Sequence, residues 1–335
     1  STEIVGADKI IIATGSRPGQ LPMFPLDGEH ILSSDDALYI KSIPKSMIII
    51  GAGVIGCEFA FIFNELGTDI TMLEIMPRAI STEDPEISET LEREMKKKKI
   101  KLFTGVKIVN VGIQHDGIHV QLEGNRELVA EKLLVSVGRT LNSDRIGLEA
   151  VGIQKGSKGE VVVNEKMETN IDRIYSIGDV TGNLMYAHVA SKQGKIVAEN
   201  IMGKNEKMDY SVVPYAIFTS PEIASVGLKE NQALERGFKV KTGSFQFRAL
   251  GKAHVLGEIT GFVKIVSDET SDRILGVHII GPHASDLIHE AALAIKAGLK
   301  TKDIAQTIHA HPTLSEAMME TAEDLNGEAI HVPKK

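Results

Sequence analysis

The sequence predicts an α/β fold: a mostly parallel sheet with an antiparallel excursion, followed by a separate α+β domain. Three observations carry this. Apolar, β-branched runs without alternation, at 44–50 and 69–73, flank a glycine-rich turn and an apolar helix. A charged amphipathic helix at 85–98 leads into strands at 102–111 and 117–122 joined by a turn. After Gly203 the texture changes to alternating strands and then to helices. Over 335 residues, 42% hydrophobic and 24% charged content suits a globular chain of two or three domains.

The elements follow in order. Residues 7–13 are a short apolar run ending at Thr14-Gly15, the pattern of a buried parallel strand. Residues 16–29, with three prolines and two glycines, read as a crossing linker. The apolar spacing of 54–66 is helical and stops at Gly67. A further buried strand at 133–137 ends at Gly138. Between Gly159 and Gly182 the chain reads strand, turn, strand (173–177), then Gly178-Asp179, with a helix expected at 187–202. The tail shows strands at 240–247, 261–266 and 274–280, then helices at 284–297, 301–308 and 313–326. The domains expected from this are 1–40, 41–140, 141–210 and 211–335.

Composition excludes some functions. Net charge is −8, and the one dense basic run, Lys96 to Lys101, falls where a helix should end and suits its dipole, so nucleic acid is not expected as a partner. No apolar run approaches the 18 or so residues of a membrane span. With Cys57 alone there is no intrachain disulfide and no cysteine metal cluster, and no metal is expected. Cys57 should face the sheet as a buried thiol.

Gly51-Ala52-Gly53-Val54-Ile55-Gly56 matches GxGxxG between an apolar strand and an apolar helix, the setting of a Rossmann dinucleotide loop. Gly51 permits the tight turn, Gly53 lets the backbone approach a pyrophosphate, and Gly56 lets the helix pack on the strand. The helix start at Val54 and Ile55 offers free N–H groups to phosphates. Glu74, 23 residues after Gly51, ends the next strand, where a carboxylate binds ribose hydroxyls and repels a 2′-phosphate. NAD is therefore favoured over NADP, although Arg78 lies four residues further on. Glu58, in the first turns of the helix, either complements the dipole or reaches the nicotinamide end of the nucleotide.

Further motifs occur in a fixed order: Ala13-Thr14-Gly15-Ser16-Arg17-Pro18, then the loop, Ser136-Val137-Gly138-Arg139, Ile177-Gly178-Asp179-Val180, Met185-Tyr186-Ala187-His188, Phe218-Thr219-Ser220-Pro221-Glu222, and His309-Ala310-His311-Pro312-Thr313-Leu314-Ser315-Glu316-Ala317. Together they resemble the flavin-dependent pyridine nucleotide–disulfide oxidoreductases, across essentially the whole chain. Within that family the sequence is most similar to members that oxidise dihydrolipoyl groups with NAD.

The resemblance implies an FAD-binding domain remainder, an NAD domain and a C-terminal dimerisation domain. It implies that Asp179 accepts hydrogen bonds from the FAD ribitol and that Thr14 and Gly15 lie against FAD. It places the helix start at Met185, Tyr186, Ala187 and His188 against the flavin, His188 through its backbone. It adds Val106 and Gly138 to the NAD-binding residues Gly51, Gly53, Val54, Ile55, Gly56, Glu58 and Glu74.

From the residues alone, Thr313-x-x-Glu316 is a helix capping box and His311, before a proline, a turn histidine. The resemblance implies instead that His311 is the acid–base residue and Glu316 its orienter, acting on the flavin and disulfide of the other subunit of a homodimer. His309 then reads as a supporting or interface residue. The implied partners are the lipoyl domains of 2-oxo acid dehydrogenase or glycine cleavage complexes, in the bacterial cytoplasm or the mitochondrial matrix.

The family also carries an FAD-type GxGxxG and a CxxxxC redox pair, which this sequence lacks. The resemblance implies that they lie upstream of Ser1 and that the disulfide chemistry needs them. Two alternatives stand: another member such as glutathione reductase, which carries arginines for NADP where Glu74 stands here, and a non-catalytic NAD-binding fragment.

Overall fold

The computed structural model of the chain describes residues 3–331. They fall into two units. One joins the chain up to Gln20 with Gly138–Tyr210; the other joins Leu21–Val137 with the chain from Ser211 onward.

In the second unit a five-stranded parallel sheet runs in the order Ile31–Leu32, Lys132–Val135, Ser46–Ile50, Asp69–Leu73, Lys101–Phe103. The central strand does not alternate in polarity because both of its faces are covered. Met47 and Ile49 enter the core formed with Phe59, Phe63, Ile70 and Met72 beside helix Val54–Glu65. Ile48 and Ile50 enter the other core, closed by Ile118, Val120 and Leu122. Those three belong to the antiparallel meander Ile108–Gln114, Gly117–Leu122, Arg126–Ala130, which is the expected antiparallel excursion.

Helix Pro85–Lys97 starts on Asp84, whose side chain accepts from the Glu86 amide, with proline in the first turn. It buries Ile87, Leu91 and Met95, one apolar residue per turn. The basic run is its solvated end: Lys97 pairs with Glu94, Lys98 with Glu65 and Lys101 with Asp69.

Sheet pairing moves the expected boundaries. Strand Ile31–Leu32 pairs in parallel with Leu133 and Leu134, and the Leu133 amide donates to the His30 carbonyl at 3.0 Å. Residues 21–40 thus group with the parallel sheet rather than with residues 1–20. Residues 138–140 leave it, because strand Arg139–Leu141 pairs antiparallel with Ser16–Pro18. Part of the expected linker is therefore a strand.

The first unit is built on a short parallel pair, Ile10–Ile12 with Ile174–Ser176. Ile10 and Ile11 are 50% and 43% exposed, contrary to the buried strand expected there. The strand has one strand neighbour among the described residues, so burial of both faces does not arise. A small core of Leu148, Ile153, Val161 and Val180 lies beside it. Met167, Tyr175 and Val197 anchor helix Ala187–Ile201.

The C-terminal part of the second unit is a five-stranded antiparallel sheet. Its order is Tyr215–Ile217, Glu222–Gly227, Ile274–Gly281, Phe262–Asp268, Val240–Gln246. Helices Ala284–Ala297 and Glu316–Asn326 pack on it through Ile288, Ala291, Ala317, Met318 and Leu325. Helix Thr301–Ala305 is shorter than the sequence spacing predicts, and the last helix opens at Glu316, not Thr313.

One buried histidine gives this sheet a pH signature. His278 lies between the Ser225 hydroxyl (3.1 Å) and the Leu228 carbonyl (3.2 Å). Burial pushes its imidazole down to about 4. An unfolded histidine titrates near 6.5, so the folded state binds fewer protons as pH falls through that window. Stability contributed by neutral His278 is therefore lost progressively between about pH 6.5 and 4. His278→Gln should flatten that part of the stability–pH curve, measured by denaturant unfolding at stepped pH; an unaltered curve contradicts the assignment.

Candidate active site

The glycine loop has the shape a pyrophosphate needs. Gly51 has φ of 94° and its amide donates to the Leu73 carbonyl at 2.8 Å, turning the chain off the strand end. A Cβ on Gly56 would lie 2.0 Å from the Gly51 carbonyl oxygen, so only glycine lets the helix sit this close. A Cβ on Gly53 would meet nothing within 4 Å, so that side of the loop is open. Gly53 is the helix N-cap and no side chain caps it, leaving the Val54 and Ile55 amides available. Ser136 supports the turn from below, its hydroxyl set against the carbonyls of Ile50 (2.8 Å) and Gly51 (3.0 Å). Gly56→Ala should cost about 1–3 kcal/mol in overpacking and weaken NAD binding together with stability. Nucleotide titration beside thermal unfolding checks this.

Glu74 reaches back to the loop: its carboxylate accepts the Ala52 amide at 2.6 Å and the Met76 amide at 2.8 Å. The Val106 amide donates to the Glu74 carbonyl at 3.0 Å, which places Val106 at the same end of the sheet. Arg78 turns elsewhere, donating to the carbonyls of Ser81 (3.2 Å) and Glu83 (3.3 Å). An anionic Glu74 on the loop and an Arg78 committed to backbone suit NAD rather than NADP. Gly138 lies in the other unit.

Glu58 also has a partner outside its own helix. It accepts the Phe218 amide at 3.0 Å, so it ties the nucleotide helix to the Phe218-Thr219-Ser220-Pro221-Glu222 segment. Burial pushes its carboxyl up. Cys57 is fully buried, as expected, with Sγ 3.3 Å from the Ala52 carbonyl, and burial pushes its thiol far up.

In the first unit, Asp179 follows Gly178 and accepts the Ser16 hydroxyl at 2.5 Å, with Arg139 Nε 3.8 Å away. It keeps part of its surface exposed and has further lone pairs to offer hydroxyl groups. Helix Ala187–Ile201 has Tyr186 as N-cap and no side-chain cap, so the amides at Ala187 and His188 are open. His188 stacks on Tyr186, ring centroids 5.3 Å apart, and Met185 is exposed just before it. The Thr14 hydroxyl donates to the Asn142 carbonyl, and Gly15, with φ of 69°, accepts the Asn142 amide. A carboxylate acceptor and an uncapped helix start fit the polyol and electron-accepting edge of a flavin.

The histidine–glutamate pair is formed. His311 Nδ1 is 2.9 Å from Glu316 Oε1, and the Thr313 amide donates to Glu316 Oε2 at 2.8 Å. Glu316 thus makes half of the expected capping box. The other half is not formed: the helix N-cap is Ser315, and the Thr313 hydroxyl donates to the Ala310 carbonyl. Burial opposes ionisation of Glu316, but the Thr313 amide and the His311 ring outweigh it and hold its carboxyl below the usual range. An ionised Glu316 only accepts, so a neutral His311 in this contact would carry its proton on Nδ1 and leave Nε2 as the basic nitrogen. The His311 side chain is 77% exposed against 16% for Glu316: an imidazole held from behind and presented outward.

Some groups were not legible in sequence. Lys264, 5% exposed in the middle of a buried strand, pairs with Asp84, Glu86 and Glu230 at 3.1, 2.6 and 3.0 Å. His309 pairs with Glu290, 19 residues away. Both involve segments that local spacing does not relate.

The chain matches known proteins over most of its length. The family described as "Pyridine nucleotide-disulphide oxidoreductase" matches residues 1–194, and its dimerisation domain matches residues 213–322. The dihydrolipoyl dehydrogenase of Bacillus subtilis (strain 168) is 47% identical over 329 residues, covering 96% of this chain and 69% of its own length. The mitochondrial dihydrolipoyl dehydrogenase of Pisum sativum is 38% identical over 334 residues, covering 98% and 67%. The crystal structure of LpdA from Mycobacterium tuberculosis superposes with a TM-score of 0.89 at 30% identity, covering 95% of this chain and 70% of that one. The HOCl-induced flavoprotein disulfide reductase RclA from Escherichia coli gives 0.90 at 26% identity, covering 95% and 74%. On its motifs, its fold and these relatives, the chain belongs to the pyridine nucleotide–disulphide oxidoreductase family.

Proposed function

We propose that the chain provides the NAD-binding, flavin-supporting and acid–base parts of a dihydrolipoyl dehydrogenase, which oxidises dihydrolipoamide to lipoamide and reduces NAD to NADH. The observation that carries this is the His311–Glu316 pair, joined at 2.9 Å with the imidazole turned outward, on a chain whose loop suits NAD.

In this reading His311 Nε2 takes the proton of one dihydrolipoamide thiol, and Glu316 steadies the resulting imidazolium from Nδ1. The thiolate attacks a redox disulfide. Cys57, single and buried, is not part of one. FAD, when bound, supplies the two-electron relay between disulfide and NAD. Asp179 would accept from its ribitol hydroxyls, and Thr14, Gly15 and the helix start from Met185 to His188 would help to hold it. Gly51, Gly53, Val54, Ile55 and Gly56 hold the NAD pyrophosphate, Glu74 holds the adenosine ribose, and Val106 stands at the same end of the sheet. Glu58 acts here by fixing Phe218 beside the nucleotide helix.

The protein is a homodimer through the domain at 213–322. Ile308, 96% exposed beside the His311 loop, supports a second copy covering that face. The pair then serves the partner's disulfide, and lipoyl domains of 2-oxo acid dehydrogenase or glycine cleavage complexes bring the substrate. No helix among the described residues is long and apolar enough to cross a membrane. A bacterial relative and one from Pisum sativum named mitochondrial support the bacterial cytoplasm or the mitochondrial matrix as the compartment.

The test compares substrate pairs on the flavin-loaded holoprotein with its redox disulfide in place. Dihydrolipoamide with NAD should turn over at least about tenfold better than glutathione disulfide with NADPH. The reverse order would favour the glutathione reductase reading.

A further inference from the structure

The loop that carries His311 is exposed on both sides of one buried ring. Ile308 is 96% exposed and the His311 side chain 77%, whereas the His309 side chain between them is 6% exposed. His309 Nδ1 lies 2.8 Å from the Thr307 carbonyl oxygen, and Nε2 lies 3.1 Å from Glu290 Oε1. Thr307 belongs to the loop itself, held by its hydroxyl to the Asp303 carbonyl at 2.7 Å. Glu290 belongs to helix Ala284–Ala297, whose Ile288, Ala291 and Ala294 are packed in the core of the C-terminal sheet. His309 therefore joins an exposed loop to a helix packed in the core.

The donor–acceptor inventory fixes the state of the ring. A carbonyl oxygen and an ionised carboxylate both only accept, so each contact is a hydrogen bond only if the ring nitrogen facing it carries a proton. A neutral imidazole has one such proton, and an imidazolium has two. We propose that His309 is a positioning residue: an imidazolium that clamps the His311 loop to Glu290 and so fixes where His311 stands. The inference rests on the acid–base reading of His311.

The charges around His309 agree with this. Glu290 faces it from helix Ala284–Ala297 and Glu316 from the start of the last helix, and the hydrogen bond to Glu290 and the nearby carboxylates hold its imidazole above the ordinary histidine value. His311, two residues on in the same loop, takes its own carboxylate from Glu316 and does not compete for Glu290.

The clamp predicts a pattern across variants. His309→Gln should lower kcat for dihydrolipoamide oxidation by about tenfold or more, since small misplacement of a reacting group costs that much, with KM for NAD unchanged within about twofold. Glu290→Ala should do the same. Glu290→Gln should restore most of the rate, because a turned amide can donate to Nε2 of a neutral ring that still donates from Nδ1 to Thr307. Ring nitrogen-15 NMR of the histidine-labelled, flavin-loaded wild type should show His309 protonated on both nitrogens at pH 7, and on one in Glu290→Gln.

A neutral His309 in the wild type overturns the proposal, whatever the variants do. So does a wild-type dithiol rate in His309→Gln. His311→Gln in the same assay separates the two layers of the argument. If it loses the dithiol rate while His309→Gln keeps it, the clamp alone fails. If His311→Gln keeps the rate, the acid–base reading fails and the clamp with it.

Discussion

His311→Gln should lower NAD reduction by dihydrolipoamide by about 10²–10⁴-fold, the range typical of a removed general acid–base group. The loss should fall on the dithiol half of the reaction. Gln keeps a hydrogen-bonding amide that can face Glu316, but it offers no basic nitrogen outward. Reduction of the flavin by NADH involves the loop from Gly51 to Glu74 and should be left intact. Rapid-mixing measurement of each half separately checks this. Equal losses in both halves would mean that the variant disturbs the fold, not the proton transfer. Glu316→Gln should cost less, because it leaves Nε2 in place and removes only the anion that supports the imidazolium.

Lys264→Met should destabilise the protein by about 3–5 kcal/mol, the cost of breaking a buried ion pair by deleting one partner. The Lys264 amine sits 5% exposed among three carboxylates, and Asp84, at 3.1 Å, is itself only 1% exposed. Burial works against the charge on Lys264, and the hydrogen bonds to Glu86, Glu230 and Asp84 outweigh it, holding the amine protonated. Without the amine, Asp84 would remain buried and uncompensated. Asp84 also caps helix Pro85–Lys97, so the cluster binds the start of that helix to strand Phe262–Asp268. Denaturant unfolding should show a lower midpoint in Lys264→Met and partial recovery when Asp84→Asn is added. A midpoint unchanged from wild type would show that water or relaxation already screens the cluster.

The two cases differ in how far the sequence announced them. The dinucleotide loop was legible because its chemistry is local: a strand, three glycines, a helix and a carboxylate within 24 residues. The parallel sheet was legible for a similar reason, since a strand covered on both faces reads as an unbroken apolar run, as at Ser46–Ile50. The His311–Glu316 pair lay within five residues, but spacing alone read it equally well as a capping box. The structure shows that one glutamate does half of that job and also holds the imidazole.

Long-range partners were not legible. Strand Ile31–Leu32 is two residues long and takes its identity from its neighbour at Leu133 and Leu134, so it was not expected after the linker at 16–29. Ile10–Ile12 reads as buried from composition, yet burial depends on neighbours that the run itself does not specify. Lys264 breaks an otherwise apolar strand and is satisfied by residues from two other segments. Glu58 sits on the helix that follows the glycine loop, while its hydrogen-bond partner is the Phe218 amide 160 residues away.

In the proposed reaction His311 takes the thiol proton of dihydrolipoamide, and the electrons leave on NAD held at the glycine loop. One cuvette tests both ends. Dihydrolipoamide is added to the flavin-loaded holoprotein without nucleotide, and NAD is added afterwards, while flavin and NADH absorbance are followed. The flavin spectrum should change on the first addition and recover on the second, with one NADH formed per dihydrolipoamide oxidised. A flavin spectrum left unchanged by dihydrolipoamide, or one that recovers only when NADP replaces NAD, would contradict this route.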